Sequence, residues 1–245
     1  MILHSTLPLP KIIAHRGASA HAPENTLAAL RKAAEMGASW VEFDVMLTAD
    51  GVPIVMHDET LSRTTNGRGV VADTTYACIK TLDAGSWFSP VFSGEKVPML
   101  SEFLEMAHQL GLGLNLEIKS TRHNASQTGE AVADTIRKYW PAGSKSLLIS
   151  SGCVDSLSIR PIVEMGFPLA LILDKWVSGW QEMVTSLNCI SLHVHHRMLT
   201  PERMREARRF VRYVLAYTVN NVATARRCYE LGAEAIFSDY PNLLV

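Results

Sequence analysis

Short apolar runs alternate along the whole chain with stretches of helical spacing, the pattern of parallel strands joined by crossover helices. Eight runs read as strands: Lys11–Ala14, Trp40–Val45, Gly113–Ile118, Ser146–Ser150, Pro168–Leu173, Cys189–His193, Tyr213–Thr218 and Ala235–Phe237. Several are apolar almost throughout, as strands covered on both faces must be. Eight such strands predict an α/β fold, a closed (β/α)8 barrel of the TIM type, formed as one domain over residues 1–245.

The turn signal Ala49-Asp50-Gly51 is followed at once by another β run, Val52–His57, too soon for a crossover helix. That run is expected to pair with the second strand as a hairpin. From about residue 58 to 98 the helical period is lost, and Asn66-Gly67, Arg68-Gly69 and Gly85 punctuate the segment, which reads as an insertion forming a small cap. Helices are predicted over Thr26–Met36, Leu100–Leu110 and Val222–Leu231, each followed by a glycine, Gly37, Gly111 or Gly232, where a C-terminal cap belongs. Pro161 weakens the helix expected after the fourth strand.

Composition narrows the function classes. Hydrophobic residues make up 47% and charged residues 19%, as in a chain that folds on its own core. The formal net charge of −1 offers no global field for nucleic acid or anionic lipid, so an anion must be captured locally. Cys78, Cys153, Cys189 and Cys228 lie far apart, with neither thiolate-metal nor dithiol spacing. The segment Met1–Pro10 has no Lys or Arg before its apolar stretch and carries Pro8 and Pro10, unlike a secretory signal. No run approaches the ~20 apolar residues of a membrane span, and a cytoplasmic protein without stable membrane insertion is expected. The pattern defines no subunit interface, and the oligomeric state stays open.

In such a barrel the C-terminal strand ends converge on one mouth, so polar residues there belong together. The first strand ends in His15-Arg16-Gly17, the second holds Glu42 and Asp44, its hairpin partner ends in His57-Asp58, and the third ends in Glu117-Ile118-Lys119. Side chains two apart share a strand face, which pairs Glu42 with Asp44 and aligns Asn115, Glu117 and Lys119. Clustered buried carboxylates repel one another unless protonated or joined by a cation, and an all-oxygen set favours one hard divalent ion, Mg²⁺ or Ca²⁺. The competing arrangement is salt bridging of these acids to Arg16 and Lys119 with no ion. His15 and His57 have the unperturbed pKa of ~6.5 that suits a general acid and base, and Arg16 and Lys119 are candidates for holding phosphate oxygens.

These residues resemble the glycerophosphodiester phosphodiesterase family, closest to its short cytosolic bacterial members. The matching segments are His15-Arg16-Gly17, Pro23-Glu24-Asn25-Thr26, Glu42-Phe43-Asp44, His57-Asp58, Arg63-Thr64-Thr65-Asn66-Gly67, Asp83-Ala84-Gly85-Ser86-Trp87, Glu117-Ile118-Lys119 and Thr218-Val219-Asn220, spread over nearly the full chain. The resemblance implies a TIM barrel with a small insertion after the hairpin, a divalent metal on Glu42, Asp44 and Glu117, and acid–base work by His15 and His57. It also implies hydrolysis of a small-molecule glycerophosphodiester to glycerol 3-phosphate and an alcohol. Tyr217 stands where the family often has Trp, and Ser238 where it often has Thr before Asp239, which bears on pocket shape. His15 is assigned as base and His57 as acid.

Other features compete for attention. His193 and His195 share a strand face at a spacing compatible with a transition-metal pair, but no third nitrogen or thiol ligand accompanies them. Arg205, Arg208, Arg209 and Arg212 follow helical spacing, explained by a solvated helix end rather than nucleic acid. Trp87, with Phe88 and Phe92, either lines the pocket or anchors the cap, and Tyr217 is a second pocket candidate. A barrel phosphodiesterase of phospholipase C or D type is the alternative activity. A sugar isomerase fits the paired histidines and cations less well, and a silent binding module would not need every acid, base and ligand present.

Overall fold

The computed structural model describes residues 6–142, 144 and 146–243; the first half of the N-terminal segment considered above, residues 1–5, lies outside them. The strands are β1 (Ile12–His15), β2 (Trp40–Leu47), β3 (Pro53–Val55), β4 (Gly113–Ile118), β5 (Leu147–Ser151), β6 (Leu169–Leu173), β7 (Ser191–His195), β8 (Tyr213–Tyr217) and β9 (Ala235–Ser238). All but β3 pair in parallel, and the β1–β2 pairing closes the ring β1-β2-β4-β5-β6-β7-β8-β9. The expected eight-stranded barrel is therefore present, with β3 bonded antiparallel to β2 as its hairpin partner, Val45 opposite Val55.

The helices of the described residues are α1 (Leu27–Glu35), α2 (Tyr76–Ile79), α3 (Leu100–Gln109), α4 (Ala125–Tyr139), α5 (Val154–Leu157), α6 (Arg160–Glu164), α7 (Trp180–Ser186), α8 (Pro201–Ala207) and α9 (Val222–Glu230). Thr26 caps α1 by accepting from Ala29 N–H at 3.2 Å, and Asn221 caps α9 by accepting from Thr224 N–H at 2.9 Å. Leu100, Phe103, Leu104 and Ala107 of α3 are buried, and the Phe103 ring lies 4.3 Å from that of Phe43 on β2. Burial of each such large side chain is worth about 1.5–3 kcal/mol. The helix expected around Pro161 is split into α5 and α6, with the proline in the first turn of α6, where a missing N–H costs nothing.

Two apolar layers result. One fills the space between sheet and helices; the other, with Ile13, Trp40, Leu148, Ala170, Leu215 and Ala235, plugs the lower barrel and leaves the mouth to polar groups. The insertion has a small core of its own, Ile54, Met56, Leu61, Val71, Ile79, Ala84 and Val97, with α2 and two 3-10 turns around it. β7 begins two residues later than its apolar run predicts, because the Cys189 N–H still bonds Val184 O of α7.

Candidate active site

Strand alternation and register assemble the mouth. Across β2 and β4, Glu42 pairs with Asn115 and Asp44 with Glu117, while His15 of β1 pairs with Glu42. Carboxylate oxygens of Glu42, Asp44 and Glu117 lie within 4.8 Å of one another. Glu42 is 4% exposed and Asp44 1%, so neither charge can be relieved by water.

The local chain is bent to serve these acids. Arg16 (φ +53°) and Gly17 (φ +82°) are both left-handed, which turns the Arg16 N–H onto Glu42 Oε2 at 3.0 Å. The Arg16 side chain folds back over Asp44, with Nε 3.3 Å from Oδ2, and its Nη1 donates to Glu24 Oε1 at 2.7 Å. Asn25, also left-handed, donates from Nδ2 to Asp44 Oδ2 at 2.9 Å. Lys119 Nζ stands 3.3 Å from Glu117 Oε1 and donates to His57 Nε2 at 3.3 Å.

These cations do not balance the acids. Burial and the charges of Asp44 and Glu117 push the Glu42 carboxyl well above the carboxylate range. Burial and Asp44 push Glu117 up to about 7. Burial also opposes the charge on Asp44, but Arg16, His57, Lys119 and the Asn25 amide together outweigh it and hold that carboxyl down. Arg16 and Lys119 leave the three acids short of positive charge, and a divalent cation could supply it. The three carboxylates have the donor type and spacing to hold one.

Each histidine is oriented by an aspartate. His15 Nδ1–H donates to Asp239 Oδ1 at 2.6 Å, and His57 Nδ1–H donates to Asp58 Oδ1 at 2.7 Å. Both Nε2 atoms then turn inward: that of His15 lies 3.9 Å from Glu42 Oε2, and that of His57 meets Lys119. Burial draws the His57 imidazolium below its usual value.

Sequence reading did not single out the groups that hold these residues in place. Asp239 accepts from Ser19 Oγ at 2.9 Å and from Asn220 Nδ2 at 2.5 Å besides His15. Arg63 donates from Nε to Asp58 at 2.5 Å and from Nη1 to Glu24 at 2.7 Å, so a charge chain runs Arg16, Glu24, Arg63, Asp58, His57. Glu24, Asp58 and Arg63 belong to the motif segments quoted above, but their mutual contacts span up to 39 positions.

His15, Arg16, Glu42, His57, Glu117, Lys119 and Tyr217 line one cavity of about 330 Å³. A second, of about 480 Å³, adjoins it and shares His57, Glu117 and Lys119. Trp87 lines neither; its Nε1 donates to Ala84 O at 2.8 Å and its ring packs edge-on against Phe88, so it anchors the insertion. The arginine stripe also dissolves. α8 ends at Ala207, Arg208 turns back to an ion pair with Glu234, and Arg212 lies over the Tyr213 ring at 5.4 Å. Among the described residues no helix is long and apolar enough to cross a membrane.

Acids that call for a cation, imidazoles that can trade protons and fixed positive groups facing the same space define one class on a (β/α)8 barrel: an enzyme that cleaves phosphate esters. The chain belongs to the glycerophosphoryl diester phosphodiesterase family, whose model it matches over residues 15–243, and is thereby a phosphoric diester hydrolase. It is 35% identical over 237 residues to a glycerophosphodiester phosphodiesterase of Caldanaerobacter subterraneus subsp. tengcongensis, covering 96% of both chains. A glycerophosphodiester phosphodiesterase of Bacillus subtilis is 33% identical over 249 residues, covering 94% of this chain and 84% of that protein. The fold superposes with a TM-score of 0.91 on an Oleispira antarctica phosphodiesterase solved in complex with the product sn-glycerol-3-phosphate. That protein is 39% identical, with 96% of this chain and 94% of the other covered.

Proposed function

We propose that the protein hydrolyses glycerophosphodiesters to glycerol 3-phosphate and an alcohol, with the whole barrel, residues 1–245 and its 58–98 insertion, acting as one cytoplasmic catalytic domain. The observation that carries this reading is the meeting of Glu42, Asp44 and Glu117 between two aspartate-held imidazoles. Glu42, Asp44 and Glu117 would hold Mg²⁺ or Ca²⁺, which when bound lowers the pKa of a coordinated hydroxyl and offsets phosphoryl charge. Arg16 and Lys119, tied to the same acids, would face the phosphate oxygens.

The glyceryl hydroxyl next to the ester is within reach of phosphorus. His15 Nε2 takes its proton, the new C–O–P bond closes a cyclic phosphate, and the P–O bond to the alcohol breaks. His57 gives the departing oxygen its proton from Nε2. The second cavity adjoins His57 and gives the alcohol room, which supports this assignment of acid and base. Burial makes the His57 imidazolium a stronger acid than a free one. Water then opens the ring: His57 takes its proton, the P–O bond to the glyceryl oxygen breaks, and His15 returns its proton to that oxygen. Both rings end as they began.

The test is release of glycerol 3-phosphate from the choline, ethanolamine and glycerol diesters with Mg²⁺ or Ca²⁺ present. Steady release supports the reading; none from any of the three overturns it.

A further inference from the structure

The mechanism leaves one wall of the cavity without a task. β7 lies four strands from β2 in either direction around the ring, so it faces the carboxylate strand across the mouth. Its inward residues are His193 and His195, and both line the cavity. His196 stacks on His195 at 4.5 Å, but among the described residues these histidines form no group of three ligand atoms close enough to hold a metal, so a metal role is not what this pair offers.

Their hydrogen bonding points elsewhere. The Arg197 N–H donates to His195 Nδ1 at 3.2 Å, capping a short 3-10 turn, so the proton of the neutral ring sits on Nε2. The ring stands edge-on to Tyr217 at 6.0 Å, and Tyr217 is itself fixed by its hydroxyl, 2.9 Å from Leu173 O and 3.0 Å from Asp174 Oδ1. Below, His193 packs on Phe237 at 5.0 Å. Its Nε2 and Asn115 Oδ1 have no hydrogen-bond partner among the described residues, although both residues are 1% exposed. Buried polar atoms of this kind call for a polar guest. Burial holds the His193 imidazolium down to about 3, which leaves that ring neutral.

An uncharged donor over an uncharged polar floor suits a hydroxyl rather than a phosphate or a cation. We propose that the β7 wall is a hydroxyl-binding subsite, in which His195 Nε2–H donates to the terminal hydroxyl of the glyceryl group, above a floor formed by His193 and Asn115. This rests on the hydrolase reading above and divides the substrate between two walls. Phosphate and attacking hydroxyl meet the β2–β4 side, and the remaining hydroxyl, which takes no part in bond making, is read by β7. His195 is thus a specificity-determining residue.

The experiment compares glycerophosphocholine with the phosphocholine ester of 1,2-propanediol, which keeps the attacking hydroxyl and lacks the terminal one. Wild type should prefer the glycerol ester in kcat/KM by on the order of 100-fold. His195→Phe keeps a ring against Tyr217 but has no N–H. It should lose most of that preference by falling on the glycerol ester alone, with the propanediol ester unchanged. His195→Gln, which can bring an amide N–H near the position of Nε2, should restore part of it. Equal losses on both esters, or no preference in wild type, overturn the subsite while leaving the hydrolase reading intact. Failure of wild type to release glycerol 3-phosphate from any glycerophosphodiester overturns the hydrolase reading, and the subsite with it.

Discussion

His15 Nδ1 and Asp239 Oδ1 lie 2.6 Å apart although 224 positions separate them in the chain, a contact made possible by β9 closing the barrel against β1. The aspartate fixes which ring nitrogen carries the proton and turns the other toward the carboxylates. Asp239→Asn should therefore lower kcat by about 10²–10⁴-fold, with KM changed only a few-fold, because an amide no longer enforces that tautomer. Steady-state kinetics on glycerophosphocholine measure both. A rise in KM alone would mean that Asp239 serves binding rather than proton transfer.

The same aspartate shapes stability in acid. Burial works against its charge, but hydrogen bonds from His15, Asn220 and Ser19 overcome this and hold the carboxyl down to about 2. A carboxyl depressed in the folded state adds stability above its unfolded pKa of ~3.9 and loses it as pH falls through the folded value. Urea unfolding between pH 5 and pH 2 should show a shallower decline for Asp239→Asn than for wild type. Parallel declines would place the acid sensitivity elsewhere.

His57→Ala should reduce turnover of glycerophosphocholine by about 10²–10⁴-fold, since choline is a poor leaving group and needs a proton. With a p-nitrophenyl leaving group the loss in the first step, read as nitrophenolate release in a single turnover, should be much smaller. Equal loss of alcohol release from both substrates in a single turnover would remove the acid role from His57.

Gly17→Ala tests the bend that brings Arg16 N–H to Glu42. A Cβ there would stand 2.7 Å from the main chain of Ala29, on a backbone at φ +82°. A loss of about 2–4 kcal/mol in chemical unfolding is expected, from strain and overpacking together. Wild-type stability in this variant would mean that the turn relaxes freely.

What could be read from sequence follows from what is local. Period-two alternation put Glu42 with Asp44 and Asn115 with Glu117, and the short spacing after Gly51 put β3 beside β2. The partners of these groups were hidden because they come from ring closure and from the insertion: Asp239 on His15, Arg63 on Glu24, Asn25 on Asp44. Spacing misled for the arginines, since α8 stops at Ala207 and only Arg205 lies within it. Trp87 was ambiguous for a similar reason, because an aromatic in an insertion packs equally well on its own loop or on a ligand.

The central claim is that Glu42, Asp44 and Glu117 hold a divalent cation at which the diester is cleaved. The most direct measurement is glycerol 3-phosphate release from glycerophosphocholine by protein stripped with EDTA, then titrated with Mg²⁺ or Ca²⁺, beside Glu42→Gln treated alike. Stripped wild type should be inactive and recover saturably with metal, and the variant should recover little at concentrations that saturate wild type. Undiminished turnover after stripping, or full recovery of the variant at the same metal concentration, would contradict it.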